Sequence, residues 1–180
     1  MSLVGQPAPL FSAPAVFGPD GTIRDVELAR YRGRWVVLFF YPHDFTFVCP
    51  TEIVALSRRL DAFEALDARI LGVSTDSPYV HRAWIRTPEE DGGLGPVRFP
   101  LVSDWTHAVS RAYGVYYPAE GAALRGLFVI DPEGVVQYEV VHNLNVGRSV
   151  DEVLRVLQAL QTEGLCPADW APGEPLLSAT

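Results

Sequence analysis

The sequence predicts an α/β fold in which a mixed central β-sheet is flanked by helices, and three observations predict it. The apolar runs Trp35–Tyr41 and Arg69–Ser74 are continuous rather than alternating, as in strands covered on both faces. Between them, Ile53, Leu56, Leu60, Phe63 and Leu66 recur at helical spacing. Late in the chain, two apolar runs flank Asp131-Pro132-Glu133-Gly134, a composition suited to a tight reversal between antiparallel strands. Strands that alternate with helices and end in a hairpin imply a mixed sheet between helical layers.

Taken in order, the opening Val4–Phe11 carries two prolines and reads as an extended arm across the surface. Thr22–Leu28 follows a Gly-Pro-Asp-Gly turn as a short strand, and Trp35–Tyr41 is the first buried one. A helix is expected from Cys49 or Pro50 to about Asp67, with Pro50 at its first position, where the missing N–H costs nothing. Arg69–Ser74 is the next strand, and Ser77-Pro78 opens a helix to about Arg86, with serine as cap. Thr87–Pro96 is loop, Phe99–Asp104 a short strand, and Thr106–Tyr113 a helix closed by Gly114. The hairpin spans Leu124–Val141. Ser149-Val150-Asp151-Glu152 is a capping box, so a helix is expected from Val150 to about Glu163, stopped by Gly164.

The chain has 180 residues, 48% of them apolar and 20% charged, which suits one domain with its own core. It has no repeat and no low-complexity linker. No stretch of about 18 apolar residues is uninterrupted, so no transmembrane helix is expected, and the first residues lack the pattern of a signal peptide, so a cytoplasmic location is expected. A net charge of −8 argues against nucleic-acid or anionic-membrane partners, which are held by basic patches. All 14 basic residues are arginine. Two cysteines, Cys49 and Cys166, stand far apart with no histidine at ligand spacing, so no zinc site is expected.

Chemistry concentrates in Phe39-Phe40-Tyr41-Pro42-His43-Asp44-Phe45-Thr46-Phe47-Val48-Cys49-Pro50-Thr51-Glu52. Here a strand ends at a proline and a polar-aromatic loop delivers Cys49 to the start of a helix. Unpaired N–H groups and the positive end of the helix dipole favour an anion there, and the thiolate is the nucleophilic form. Position alone leaves two readings open: a reactive thiol or one more inert buried cysteine.

This stretch resembles the active-site signature of the typical two-cysteine peroxiredoxins, the group that includes the bacterial alkyl hydroperoxide reductase small subunit. The resemblance runs from about Val4 to Gly173. It implies a thioredoxin-like fold with a C-terminal extension: residues 1–163 as the peroxidase domain and 164–180 as a tail carrying a second cysteine. The implied activity is thiol-dependent reduction of hydrogen peroxide and small alkyl hydroperoxides, with no metal or organic cofactor. Cys49 is implied as the thiolate that attacks peroxide. Thr46 would accept from the peroxide and donate to the thiolate or to the developing O–O charge, and Pro42 would shield the sulfur from water. Arg125, in Leu124-Arg125-Gly126-Leu127-Phe128, matches the arginine that polarises the peroxide. Glu52 would orient that arginine, Arg148 would support the pocket through Glu52, and Trp84, in His81-Arg82-Ala83-Trp84, would shape its wall.

Leu165-Cys166-Pro167-Ala168-Asp169-Trp170 is similar to the segment carrying the resolving cysteine, which condenses with the partner subunit's sulfenic acid to an intersubunit disulfide. A thioredoxin or a dedicated flavoprotein disulfide reductase would then restore the thiols. An obligate homodimer is implied, five dimers closing into a ring, with Tyr79 near the ring contact. His43 departs from the family's apolar or small residue; its imidazole faces either solvent or the pocket. The other three histidines form no acid–base set with the cysteines. Gly92-Gly93-Leu94-Gly95 resembles one of two features of over-oxidation-prone members, and the other, a Tyr-Phe pair on an extra helix, has no counterpart, so resistance to over-oxidation is expected. Two other classes share these features: a thioredoxin-like disulfide exchanger, disfavoured because Cys49 lacks a Cys-x-x-Cys partner, and a chaperone-like assembly.

Overall fold

In the computed structural model, residues 2–162 and 164–178 are described. One seven-stranded sheet organises the chain. Its strands are β1 (Ser12–Phe17), β2 (Thr22–Glu27), β3 (Trp35–Phe40), β4 (Ala68–Ser74), β5 (Leu101–Ser103), β8 (Arg125–Ile130) and β9 (Val136–His142), in the order β2-β1-β5-β4-β3-β8-β9. A two-stranded ribbon, β6 (Tyr116–Tyr117) and β7 (Ala122–Ala123), stands apart. The β3–β4 and β4–β5 pairs are parallel and the others antiparallel, so the sheet is mixed as expected.

Side-chain alternation explains why β3 reads as a continuous apolar run. Val37, Phe39 and Tyr41 enter one core while Val36, Leu38 and Phe40 enter the other, on the opposite face of the sheet. The first core is covered by α1 (Val48–Arg58), α2 (Leu60–Ala65), α3 (Pro78–Arg86) and α5 (Val150–Leu160), and the second by α4 (Ala108–Ala112). At the centre of β4, Gly72 leaves room for the Phe39 ring and Leu101; a Cβ there would lie 2.8 Å from Phe39 Cζ.

Several boundaries differ from expectation. The single helix ending near Asp67 is two helices, α1 and α2, broken at Arg59. Ile53, Leu56, Leu60 and Phe63 all reach the same core, so apolar spacing carries no trace of a one-residue break. Strand β1 was not anticipated because Pro14 lies in it; β5 meets β1 only at Ala15 and Val16, leaving Pro14 without a partner on that side. Helix α4 starts two residues late, after His107 at a left-handed φ of 60°, and buried Asp104 accepts from the Val109 and Ser110 amides. The ribbon β6–β7 was also unforeseen. Helix α5 is capped by Ser149, whose hydroxyl accepts from the Glu152 amide, and it ends at Leu160; the expected limit at Glu163 lies outside the described residues. Similarly, Ser77 caps α3 through the Val80 amide. The opening arm runs along the β8–β9 turn, with the Ala8 amide donating to the Gly134 carbonyl. Among the described residues, no helix is long and apolar enough to cross a membrane.

Candidate active site

The site forms where β3 stops. Its loop, residues 41–47, hands the chain to α1, and Cys49 is the second residue of that helix rather than its cap; Phe47 occupies the cap position without a capping side chain. Pro50 is therefore third, not first. It still falls in the first turn, whose N–H groups have no intrahelical partner, so its missing donor costs little there. Helical side chains lean toward the amino end, which keeps the Cys49 sulfur at the helix start.

Register then brings in the arginine. Leu127 of β8 pairs with Phe39 of β3, and Arg125, two residues earlier, lies level with the loop. Its Nη1 sits 3.5 Å from Cys49 Sγ and 2.7 Å from Glu52 Oε2, while its Nε donates to the Leu144 carbonyl at 2.7 Å. Glu52 lies one turn after Cys49 on the same face of α1. Arg148 approaches from the segment before α5: its backbone N and Nε donate to Glu52 Oε1 at 2.7 and 2.8 Å, its Nη2 to Oε2 at 3.0 Å, and its Nη1 to the Gly126 carbonyl. Thus one carboxylate takes four N–H donors.

All of these groups are buried; the side chains of Arg125, Arg148 and Glu52 are only 3–5% exposed. Burial alone would raise the Glu52 carboxyl. The hydrogen bonds and charge of Arg148, joined by the charge of Arg125, outweigh it and hold Glu52 below the usual glutamate range. Two guanidiniums against one carboxylate leave one positive charge uncompensated beside the sulfur. A Cys49 thiolate would neutralise the cluster, and a neutral thiol would not.

The loop is held by bonds at Tyr41, His43, Asp44 and Thr46. Thr46 Oγ1 donates to the His43 carbonyl at 2.9 Å, so the donation to sulfur expected of Thr46 is not the bond its hydroxyl makes; its lone pairs stay available to accept. His43 thus contributes through its backbone. Pro42 and Cys49 are buried, and Phe47 stands almost fully exposed at the rim. Beside the loop lies an open groove of about 460 Å³ lined by Thr46, Phe47, Pro50, Val54 and Gly93, among others, but not by Cys49. Trp84 backs the loop: its ring lies 5.8 Å from Phe45 and 6.1 Å from Tyr41, and its Nε1 donates to the Gly92 carbonyl.

Beneath the loop is a polar cluster that sequence reasoning did not find. Asp44 Oδ2 lies 2.7 Å from His81 Nδ1, Asp44 Oδ1 accepts from the Tyr41 hydroxyl at 3.0 Å, and the Asp44 amide donates to Asp76 Oδ2 at 3.0 Å. Burial pushes the Asp44 carboxyl up, against the opposing pull of His81, and burial with the nearby Asp44 and Asp76 carboxylates raises the Tyr41 phenol. Tyr41 and Asp44 were visible in the loop motif, but nothing in the sequence ties that loop to a histidine on α3.

Cys166 rests elsewhere, beyond α5, half-buried with its Sγ 3.4 Å from Thr162 Oγ1 and 3.8 Å from the Ala159 carbonyl. Both cysteines are free thiols. Trp170 anchors the tail: it is buried, and its carbonyl accepts from Arg155 of α5. Among the described residues, no group of histidine, cysteine or acidic side chains could hold a metal ion.

Comparison with known proteins agrees with this geometry. The model of the AhpC/TSA family matches residues 4–139. The chain is 54% identical over 179 residues to the chloroplastic 2-Cys peroxiredoxin BAS1 of Hordeum vulgare, covering 97% of this chain and 84% of that one. It is 54% identical over 174 residues to peroxiredoxin-2 of Bos taurus, covering 94% and 86%. The reduced 2-Cys peroxiredoxin of Plasmodium vivax superposes with a TM-score of 0.94 at 44% identity, covering 98% and 93%. With a cysteine at a helix start, an arginine beside its sulfur and a second thiol in the tail, the chain belongs to the AhpC/TSA family, as a two-cysteine peroxiredoxin.

Proposed function

We propose that this peroxidase reduces hydrogen peroxide and small alkyl hydroperoxides through a Cys49 sulfenic acid, which Cys166 of a second copy resolves. One observation carries the reading: Arg125 stands 3.5 Å from the Cys49 sulfur within a buried cluster whose charge only a thiolate balances. In the first step the thiolate attacks one peroxide oxygen, an S–O bond forms as the O–O bond breaks, and the departing oxygen leaves as water or an alcohol after taking a proton. Arg125 sits where negative charge builds on that oxygen, and the free lone pairs of Thr46 accept a hydrogen bond from the peroxide O–H, which orients it for attack. In the second step the Cys166 thiolate attacks the Cys49 sulfur, hydroxide leaves as water, and a disulfide joins the two subunits. A thioredoxin or a dedicated flavoprotein then returns both thiols by exchange.

The surface supports an assembly. Strand β9 closes one side of the sheet; the opening arm bonds its first residue, Val136, through Gly5 and Gln6, the rest of its outer edge has no strand partner among the described residues, and Val141 there is exposed, as suits a homodimer built edge to edge. An apolar groove of about 490 Å³ lined by Leu10, Pro78 and Trp105, with Tyr79 exposed beside Pro78, suits the contact that would close five dimers into a ring.

The test is oxidation of reduced protein with one equivalent of peroxide, followed by a non-reducing gel. The wild type should run as a disulfide-linked dimer, and Cys166→Ser and Cys49→Ser should each abolish that band. A monomeric wild-type band would refute intersubunit resolution. Turnover with thioredoxin and its reductase, run beside a flavoprotein donor, identifies the reductant.

A further inference from the structure

Asp44 is held by three contacts from three directions. Tyr41 donates to one carboxyl oxygen from the end of β3, His81 meets the other from α3, and Asp76, just after β4, accepts the Asp44 amide. Asp76 is itself fixed, since its Oδ2 also accepts from Ser74 Oγ at 2.7 Å and its carbonyl accepts from Ser103 Oγ at 2.6 Å. The side chains of Asp44 and His81 are wholly buried, and the Tyr41 side chain is too.

The proton count of the pair follows from its partners. His81 Nε2 faces the Val102 carbonyl at 3.2 Å, which can only accept, so Nε2 carries a hydrogen. One further proton lies between His81 Nδ1 and Asp44 Oδ2, whichever atom holds it. The pair is therefore neutral overall and both imidazole nitrogens are satisfied, the condition under which a buried polar pair is rigid rather than costly.

What this rigidity holds is a strained turn. Phe45, next to Asp44, has φ 54°, a left-handed conformation that L residues other than Asn and Asp seldom adopt. Thr46 follows at once, and its hydroxyl is aimed by the His43 carbonyl on the other side of Asp44. Asp44 is thus the clamped residue in the middle of the turn that sets the direction of the Thr46 hydroxyl, three residues before Cys49. Strain of this kind persists only where the surroundings over-determine it.

We infer that His81, acting through Asp44 with Tyr41, is a positioning residue for peroxide reduction: it holds the Phe45 turn and so places Thr46 to receive the peroxide. The inference rests on the reading of Cys49 as the peroxide-reducing thiol.

It is tested in a Cys166→Ser background, so that one thiol reports, by following the reaction of Cys49 with hydrogen peroxide and, separately, with iodoacetamide, which needs no hydrogen-bond acceptor at Thr46. His81→Leu should slow the peroxide reaction by about 10²-fold, the scale set by a misplacement of about 1 Å, while alkylation changes by less than about 3-fold. His81→Asn, which keeps a donor toward Asp44, and Tyr41→Phe, which removes one hydroxyl at constant shape, should each cost roughly 3–10-fold in the peroxide reaction alone. In a Thr46→Val background the further loss from His81→Leu should shrink below about 3-fold, since both changes remove the same placement. Peroxide rates unchanged in His81→Leu and Tyr41→Phe, or a His81→Leu loss undiminished by Thr46→Val, would overturn the inference. Should His81→Leu fail to fold, Tyr41→Phe and His81→Asn decide it in the same way. A wild type that is inert to peroxide would overturn the proposed function together with this inference, whereas an active wild type with indifferent variants would overturn this inference alone.

Discussion

Replacing Glu52 by glutamine probes the buried cluster most directly. The carboxylate accepts two N–H groups on each oxygen: the Arg148 backbone N and Nε on Oε1, and Arg125 Nη1 with Arg148 Nη2 on Oε2. Glutamine keeps the volume and one acceptor oxygen. Its amide group must then face the other pair of donors, hydrogen against hydrogen, and two buried guanidiniums lose their counter-charge. Removing one partner from a buried ion pair costs about 3–5 kcal/mol. At roughly 2–4 °C per kcal/mol for a chain of this size, the thermal midpoint should fall by roughly 6–20 °C. Arg125 also loses the oxygen that aims it, and loss of one aimed donor slows catalysis by about 10²–10³-fold.

The pH dependence carries its own sign. Glu52 is held below the usual glutamate range in the folded chain, so its stabilising effect is complete above the unfolded value of about 4.3 and disappears as pH falls through the lower folded value. The stability gap between wild type and Glu52→Gln should therefore be constant near neutrality and close in acid. Urea or thermal unfolding measured from neutral pH into acid, with single-turnover peroxide rates, tests both parts. A cost below about 1 kcal/mol, the range of exposed ion pairs, together with an unchanged rate would refute the reasoning.

Gly72→Ala should destabilise by about 1–3 kcal/mol, because the added Cβ would lie 2.8 Å from Phe39 Cζ and 2.9 Å from Leu101 Cδ2 in a filled core; unfolding midpoints check this. The same change should disturb the site, since the Phe39 ring lies under the Arg148 guanidinium at 5.5 Å, so the peroxide rate should fall with it. His43→Leu should leave the profile of Cys49 alkylation against pH superimposable on wild type, because His43 enters the loop network through its carbonyl; displaced curves would show that the imidazole acts on the sulfur.

Much of the site lies in one continuous stretch and was legible there. Pro42, Thr46, Cys49 and Glu52 belong to the loop and the first turns of α1, and their relation is set by a local change from strand to helix. Arg125 and Arg148 were found only through resemblance to a family, since an arginine before an apolar run or before a helix is otherwise unremarkable. The exact helix start was misplaced: Pro50 suits any first-turn position, so proline alone could not distinguish the first from the third. Thr46 was expected to donate toward the sulfur or the peroxide, but its hydrogen-bond partner is the His43 carbonyl, across the left-handed turn at Phe45.

What the sequence by itself determined is the alternation of buried strands with amphipathic helices, the late hairpin, the helix caps at Ser77 and Ser149, and the loop that delivers Cys49 to a helix start. Each of these follows from side-chain periodicity and turn chemistry, which act over a few residues. Only the tertiary structure decided that one carboxylate is shared by two guanidiniums beside the sulfur, and that His81 of α3 meets Asp44 of the loop. Those contacts depend on how β8 registers against β3 and on where α3 crosses the sheet, and local spacing carries no information about either.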